Sequence, residues 1–314
     1  MPILLPSDTN TTEIAAFKND YAADIYMLLQ QKGSMLRNTA RPETINGERL
    51  FVNQIGKVEA RTRVNFTADL EYKVTPHARR EVRWTNKYYA ELLTPVSKIA
   101  MQRDLSGTYL QQGVFALGRE IDDYIVNAFD GVVMSGKDGN VPIAFPTSQV
   151  VDLGKAGTPP TSGLTVDKLR EVRERFDQAE VQPDEEIFFV IDARAKRQLL
   201  ETLEITNSDY NTVKSLVNGE VDTFMGFKFV TCQRTKKFNL DGTTGATHTN
   251  ASWGRAMAYT RNALVLGIAA NVTSQIDWLP QKQAWQVYAD LHMGAVRMEE
   301  ERCVAVDYAY NPTP

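Results

Sequence analysis

The sequence predicts an α+β fold with one inserted lobe. Three observations favour this class: a long charge-rich extended segment at 48–93, a long helix at 106–131, and a later mixed region that closes in two strand-like stretches. Helices and strands grouped in this order are typical of α+β folds and not of regularly alternating ones. The chain has 314 residues, 43% of them hydrophobic, so it can bury a sizeable core.

An amphipathic helix is predicted near the N-terminus, at 12–32. Apolar side chains recur there at helical spacing: Ile14, Phe17, Tyr21, Ile25 and Leu28. Gly33 is expected to end this helix, because glycine adopts the backbone conformation that commonly terminates helices.

The segment 48–93 differs in kind from the rest of the chain. Charges of both signs alternate with Val, Phe, Ile, Tyr and Trp at period two, which predicts two-faced strands with a break at Pro76. Because so charged a segment does not readily form its own core, we expect it to pack on another chain. The charged residues predicted to make this intersubunit contact are Arg61, Arg63, Glu71, Arg79, Arg80, Glu81 and Arg83.

The clearest helix follows at 106–131. Ser106 is a suitable N-cap and Gly131 a suitable end. Its apolar stripe consists of Leu110, Val114, Leu117, Ile121, Tyr124 and Ala128. At 1.5 Å per residue the helix spans roughly 36 Å, which makes it a backbone for the fold. It contains two glycines over about three heptads, so packing on a sheet is favoured over a coiled coil.

The remaining elements are shorter. Thr165 is predicted to cap a helix, the run at 187–193 reads as a buried strand, and Asp192 is predicted to cap the helix after it. Another short helix is expected around "DYNTVKSLV". In "VNGEVDTFMGFKFVTCQ" the glycines favour turns or close backbone approach before a strand that ends at a cysteine. Strands are then predicted in "AWQVYADLHMGAV" and "RCVAVDYAY".

Composition excludes several classes of function. The net charge of −4 and the pI near 5.6 argue against a protein that wraps DNA by neutralising phosphates, so DNA would be a neighbour and not a ligand. Two cysteines without a CxxC pair favour a reducing compartment. The N-terminus lacks the pattern of a signal peptide and no run is long and apolar enough to span a bilayer, so a soluble cytoplasmic product without membrane contact is expected.

Catalytic and cofactor motifs are absent. The three histidines, His77, His248 and His292, lack ligand spacing, so we predict no metal and no cofactor. A cysteine-dependent hydrolase using Cys232 is kept as a remote alternative, because no group that would lower its pKa is evident. The adjacent acids at 122–123 and 299–301 are expected on solvated or intersubunit faces.

Several segments, taken together, resemble one family. "PHARREVRWTNKYYAELL" leading into "DLSGTYLQQGVFALGREIDDYIVNAFDG" is similar to the junction of extended loop and spine helix in tailed-bacteriophage major capsid proteins of the Hong Kong 97 fold. "IFFVIDARAKRQLL", "VNGEVDTFMGFKFVTCQ" and "HMGAVRMEEERCVAVDY" resemble, in order, later segments of that family. Each motif alone is weak, and their order and spacing carry the resemblance over nearly the whole chain.

The resemblance implies an order of parts along the chain. It implies an N-terminal arm at 1–47, an extended loop at 48–93, a peripheral domain with the spine helix at 94–180, an axial domain at 181–275, and closing peripheral strands at 276–314. No long charged helical N-terminal region is present, which favours a separate scaffolding protein. Lys57 and Lys73 lie in the extended loop, but no partner asparagine is identifiable and no crosslink is predicted.

The resemblance also implies a function and partners. The expected protein is a major capsid protein, not an enzyme, that assembles as pentamers and hexamers into an icosahedral shell around double-stranded DNA. It would reside in the virion after assembly in the bacterial cytoplasm, with a portal protein and possible decoration protein as partners. An encapsulin-like compartment, which encloses protein instead of a genome, is the alternative within the same fold.

Overall fold

The computed structural model describes residues 30–60, 62, 72, 74–95, 106–151, 162–182, 184–201, 223–239 and 252–310. Its helices in this part are α1 (Ser106–Asp130), α2 (Val166–Gln178) and α3 (Ala193–Glu201). Its strands are β1 (Arg41–Thr44), β2 (Arg49–Ile55), β3 (His77–Arg83), β4 (Thr85–Leu93), β5 (Val133–Ser135), β6 (Val141–Ile143), β7 (Val150–Val151), β8 (Ile187–Ile191), β9 (Thr223–Phe224), β10 (Phe227–Thr231), β11 (Lys237–Phe238), β12 (Trp253–Thr260), β13 (Leu264–Leu279), β14 (Ala284–Arg297) and β15 (Cys303–Ala309).

The strands form three sheets. One has the order β1-β13-β14-β4, a second has the order β7-β15-β12-β8-β10-β9 with β11 paired to β12, and a third has the order β2-β3-β5-β6. Strand β10 runs parallel to β8, whereas β12 is antiparallel to both β8 and β15. The mixture of separate helices and largely antiparallel sheets confirms the α+β class.

The chain divides into two compact units. Unit 1 contains residues 1–34, 86–120 and 270–292, and unit 2 contains residues 35–85, 121–269 and 293–314. The helix α1 and the strands β13 and β14 each contribute residues to both units. No helix in the described part of the chain is both long and apolar enough to cross a membrane.

The largest core of unit 2 lies between the second sheet and helices α2 and α3. Strand β8 is buried at every position, as is β15, because neighbouring strands and the helices exclude water from both faces. Phe176 of α2 and Phe189 of β8 both pack against Phe227 of β10. The division of the chain implied by the resemblance assigns β8 to the axial domain at 181–275 and β15 to the closing strands at 276–314. In the structure, both strands pair with β12 in one sheet.

Local sequence patterns correctly predicted the caps of the two shorter helices and a turn between strands. The Thr165 hydroxyl accepts a hydrogen bond from the Lys168 amide, and the Asp192 carboxylate accepts one from the Ala195 amide at 2.7 Å, as N-caps do. Met225 and Gly226 have φ values of 52° and 80° and make the two-residue turn between β9 and β10. This left-handed turn, where glycine is favoured, explains one of the predicted glycine positions.

Two of the predicted helices cannot be compared in full. The helix predicted at 12–32 lies outside the described residues except for 30–32, which are not helical. The helix predicted around 209–217 and the turn predicted at Asn218 and Gly219 also lie outside them. The predicted spine helix is present as α1, which ends at Asp130.

Unit 1 presents aromatic side chains on its sheet. The rings of Tyr88 and Tyr288 stack with centroids 6.3 Å apart, and those of Trp278 and Trp285 meet edge to face at 5.4 Å. Asp290 accepts hydrogen bonds from Thr273 and, at 3.1 Å, interacts with Nε2 of His292. The bond from Thr273 is the main reason that the pKa of Asp290 lies below its usual value.

Candidate assembly interface

Strands β2 and β3 are the base of a two-stranded extension. They pair antiparallel from Arg49 opposite Arg83 to Ile55 opposite His77, and β3 meets β5 where Arg80 lies opposite Ser135. The backbone amide of Gly56 donates to the carbonyl of Pro76 at 2.9 Å, one residue beyond the ladder. The sequence correctly predicted a strand break at Pro76, because proline cannot donate to the ladder.

One face of this hairpin packs on its own chain. Val82 is fully buried in a cluster with Ile45, Val133 and Val296, and Leu50 and Val52 pack against it. The expectation that the segment 48–93 finds its packing partner only on another chain is therefore wrong for the base of the hairpin. Period-two alternation places Leu50, Val52 and Val82 on one face, and that face supplies apolar area to the core despite the high charge of the segment.

Arg80 is held within the chain. Its Nε donates to the carbonyl of Met298 at 3.2 Å, and its Nη2 lies 2.9 Å from both carboxylate oxygens of Glu300. The side chain is almost completely buried. A buried guanidinium requires such charged and carbonyl partners, since burying an unpaired cation is costly.

Glu81 is also held within the chain. Its side chain is 1% exposed, and its Oε1 accepts from Nε of Arg83 at 2.6 Å and lies 3.4 Å from Nη1 of Arg49. The turn between β5 and β6 covers it at Gly139, where a Cβ atom would lie 2.0 Å from Oε2. Gly139 also has a φ of +71°, so a larger residue is disfavoured by both space and backbone conformation.

The other two described candidates face outward. The side chain of Arg83 is 63% exposed, and its pKa is raised chiefly by the hydrogen bond to Glu81. The guanidinium of Arg79 lies 5.5 Å from the centre of the Phe51 ring and 3.4 Å from the carbonyl of Lys137. An open cavity of about 640 Å³ lies beside it, lined in part by Asn53, His77 and Lys137. Arg61, Arg63 and Glu71 lie outside the described residues.

Beyond the base, large apolar side chains are exposed. The exposed fractions are 74% at Ile55, 92% at Tyr72 and 90% at Val74, and about half of Val58 is exposed. Exposed large apolar residues that form a patch mark interaction surfaces in soluble proteins, so these residues are candidates for such a surface. Within the part of the chain that the structure describes, this end of the hairpin lacks the packing that its base has.

The acidic groups predicted on outer faces are instead paired internally. Asp122 is completely buried and accepts from the amides of Met35 and Leu36 at 3.2 and 3.0 Å, while Asp123 binds Arg234. Expecting Asp122 on a solvated or intersubunit face was therefore wrong, whereas Asp123 is partly exposed. Sequence adjacency does not fix exposure, because α1 is contacted by other segments of unit 2 on more than one side.

The acidic run 299–301 divides among different partners. Glu299 pairs with Arg302 at 2.6 Å, Glu300 with Arg80, and Glu301 with Lys57 at 3.3 Å. Only the last of these pairs is largely exposed on both sides, as the expectation of a solvated face requires. The three neighbours thus have three different environments.

Arg297 holds the C-terminal end of α1. This fully buried residue donates from Nη1 to the carbonyls of Phe129 at 2.5 Å and Gly131 at 3.1 Å. These carbonyls lie where a helix leaves acceptors without partners, and a cation there also complements the helix dipole. Burial lowers the pKa of Arg297. No local pattern identifies this residue in the sequence, because its partners lie about 170 positions away.

The two cysteines are not placed for nucleophilic chemistry. Cys232 and Cys303 are free but buried, and burial raises the pKa of Cys232 to about 11, so its thiol stays protonated and non-nucleophilic near neutral pH. Burial likewise raises the pKa of Cys303. Among the described residues there is no cluster of His, Cys, Asp or Glu that could hold a metal ion.

Comparison with solved structures shows the fold. A chain from the capsid of cyanophage Pam1 matches 98% of this chain and 99% of its own at 10% identity, with a TM-score of 0.71. Chains from the capsids of cyanophage P-SCSP1u and Ralstonia phage GP4 have TM-scores of 0.70 and 0.69 at 14% and 12% identity; they cover 93% and 95% of this chain, which covers 92% and 96% of theirs. The fold is therefore the Hong Kong 97-type capsid fold.

The family follows from sequence. Residues 14–310 match the phage capsid protein family, and the chain belongs to that family. Among curated proteins, none matches the chain by sequence. The chain is a structural protein of the virion, a major capsid protein that forms the multimeric head shell, and not an enzyme.

Proposed function

We propose that this chain forms the pentamers and hexamers of an icosahedral shell that encloses the double-stranded DNA of a tailed phage. The observation that carries the proposal is the hairpin of β2 and β3, whose base is packed within the subunit while Ile55, Tyr72 and Val74 are left exposed beyond it. An extension that is packed at its base within the subunit, with exposed apolar side chains where its described part ends, is suited to contact a second copy of the chain. Repetition of one such contact around closed symmetry builds a shell.

Arg79 and Arg83 are the described candidates for direct contact between subunits. The guanidinium groups of Arg79 and Arg83 face outward. Arg80 and Glu81 instead shape the surface from which those two arginines project. Arg61, Arg63 and Glu71 remain proposed contacts on sequence grounds. Single exposed ion pairs contribute about 0 to 1 kcal/mol, so such contacts matter through their number in a shell.

The partners and site of assembly are also proposals. A separate scaffolding protein, a portal protein and in some shells a decoration protein would accompany the subunit, and assembly would take place in the cytoplasm of the bacterial host. The net charge of −4 supports packaged DNA as a non-specific neighbour, because an acidic subunit does not neutralise phosphates on its own.

Electron microscopy of the expressed chain, alone and with its candidate scaffolding protein, tests this function. Closed shells with fivefold and sixfold capsomers are expected in at least the second preparation. Particles from infected cells should yield nuclease-protected DNA. Subunits that remain small under both conditions would contradict the proposal, and shells that enclose protein but no genome would favour the encapsulin-like alternative.

A further inference from the structure

One carboxylate, that of Glu300, faces two buried arginines from different parts of unit 2. Glu300 lies in the connection between β14 and β15, and both its oxygens are 2.9 Å from Nη2 of Arg80. Its Oε1 is also 3.6 Å from Nε of Arg297. Arg80 belongs to the extended hairpin, while Arg297 binds the last carbonyls of α1, so Glu300 lies between the hairpin and the end of the helix.

Two buried guanidinium groups share one carboxylate in this cluster. Three of their nitrogens, Nη1 of Arg80 and Nε and Nη2 of Arg297, have no hydrogen-bond partner in the part of the chain that the structure describes. Loss of the Glu300 charge would remove the carboxylate that both guanidinium groups share, and breaking a buried charge cluster by removing one partner is costly. The cluster therefore depends on Glu300 more than on either arginine alone.

Hydrogen bonds to the backbone of Met298 join the same two parts of unit 2 as these side-chain contacts. The carbonyl of Met298 accepts from Nε of Arg80 and, at 2.7 Å, from Nε2 of Gln54, so both strands of the hairpin bind the segment that carries Glu300. The backbone amide of Met298 in turn donates to the carbonyl oxygen of Ala263 at 2.8 Å, directly before β13. This bond fixes the segment to the sheet that contains β13 and β14. The hairpin base is thus bound through its side chains to a segment whose backbone is itself fixed.

We infer that Arg80, Glu300 and Arg297 form a latch that fixes the direction of the extended hairpin relative to the C-terminal end of α1. Glu300 is the positioning residue of this latch, because its carboxylate lies within ion-pair distance of both arginines. The consequence of the latch rests on the proposed function. A hairpin held in a fixed direction contacts the neighbouring subunit at a constant angle. Releasing it leaves the sheets folded but lets the hairpin base move.

The test compares Glu300→Gln with Glu301→Gln. Glutamine keeps the shape of glutamate and removes its charge, and Glu301 supplies a matched control because its pair with Lys57 is exposed on both sides. Hydrogen exchange of unassembled subunits reports on the latch without requiring assembly. The peptides to follow cover His77–Arg83 and Val133–Ser135, where the hairpin base meets β5.

In Glu300→Gln these peptides should exchange about 10 to 100 times faster than in the wild type, the factor expected for losing a hydrogen bond to a charged group. Peptides of β8, β12 and β15 should keep their wild-type rates, and Glu301→Gln should match the wild type everywhere. Shell formation by Glu300→Gln should be slower or yield irregular particles. The variant Arg80→Lys, which retains the charge but loses the two-point contact, should accelerate exchange in the same peptides.

Two results would overturn the latch. One is wild-type exchange at the hairpin base in Glu300→Gln; the other is faster exchange throughout unit 2, which would make Glu300 a general stabilising residue. Wild-type subunits that never form shells would count against the proposed function, while the exchange pattern would still decide for or against the latch.

Discussion

Nη1 of Arg297 lies 2.5 Å from the carbonyl oxygen of Phe129 in the last turn of α1. The two residues are fully buried, and the contact joins the end of β14 to the end of the spine helix within unit 2. A side chain from a remote strand thus satisfies carbonyls at the helix end, in addition to the local bond from the Gly131 amide to the Asn127 carbonyl. Stability of the subunit should depend strongly on this arginine.

Arg297→Met should lower the free energy of unfolding by about 2 to 5 kcal/mol, because it removes charge-assisted bonds and leaves buried carbonyls and Glu300 with fewer partners. Chemical denaturation of the unassembled subunit measures this. Arg41→Met is the control, since Arg41 is exposed and its ion pair with Glu43 lies at the surface. Equal losses in the two variants would show that the helix-end contact contributes nothing specific.

Leu117→Ala and Ile121→Ala should each lower the free energy of unfolding by about 2 to 5 kcal/mol, as expected when a buried large side chain leaves a cavity. Both residues are buried on α1. Val132→Ala, at an exposed position just after the helix, should change stability by less than about 0.5 kcal/mol. Unchanged denaturation midpoints for both helix variants would mean that the buried face of α1 is misassigned.

The buried thiol of Cys232 predicts a loss of stability at high pH. Its pKa is raised from 9.0 to about 11 in the folded state, so the stabilising contribution of the neutral thiol is complete below pH 9.0 and is lost as pH rises towards about 11. Thermal midpoints measured across this range should fall more steeply for the wild type than for Cys232→Ala. The native thiol should also resist alkylation near neutral pH, and rapid alkylation would revive the hydrolase alternative.

Arg79→Glu should slow or block shell formation without changing the thermal midpoint of the subunit, since Arg79 projects from the hairpin surface. Arg80→Glu should lower the midpoint, because it places a second acid beside Glu300 in a buried site. Light scattering during assembly across a salt series measures the first effect, and wild-type assembly should itself depend on salt. Wild-type rate and yield for Arg79→Glu in low salt would remove Arg79 from the proposed contact.

Sequence patterns predicted the elements that local chemistry determines. Thr165 and Asp192 cap helices because an N-cap needs only a side-chain oxygen a few residues from an amide. The strand at Ile187–Ile191 was evident from its continuous apolar run. The resemblance supplied the Hong Kong 97-type fold, which periodicity alone could not specify.

The features that the sequence did not predict depend on residues that are distant in the chain. The predicted stripe on α1 included Tyr124 and Ala128, which are half-buried, and omitted Ile125 and Phe129, which are fully buried. A stripe of apolar residues at helical spacing predicts a single buried face, whereas α1 is contacted on more than one side. The pairing of Arg80 with Glu300 joins residues 220 positions apart, and no local pattern encodes such a contact.

Electron cryomicroscopy of the full-length chain beside a chain lacking residues 58–74 measures whether the extended hairpin joins subunits into a shell. The truncation retains β2, β3 and the closing contact of Gly56 with Pro76, so the subunit should fold with an unchanged thermal midpoint. We expect closed icosahedral shells from the full-length chain, with each hairpin lying on a neighbouring subunit, and folded, unassembled subunits from the truncated one. Equal yields of closed shells from both chains would show that the hairpin does not join the subunits.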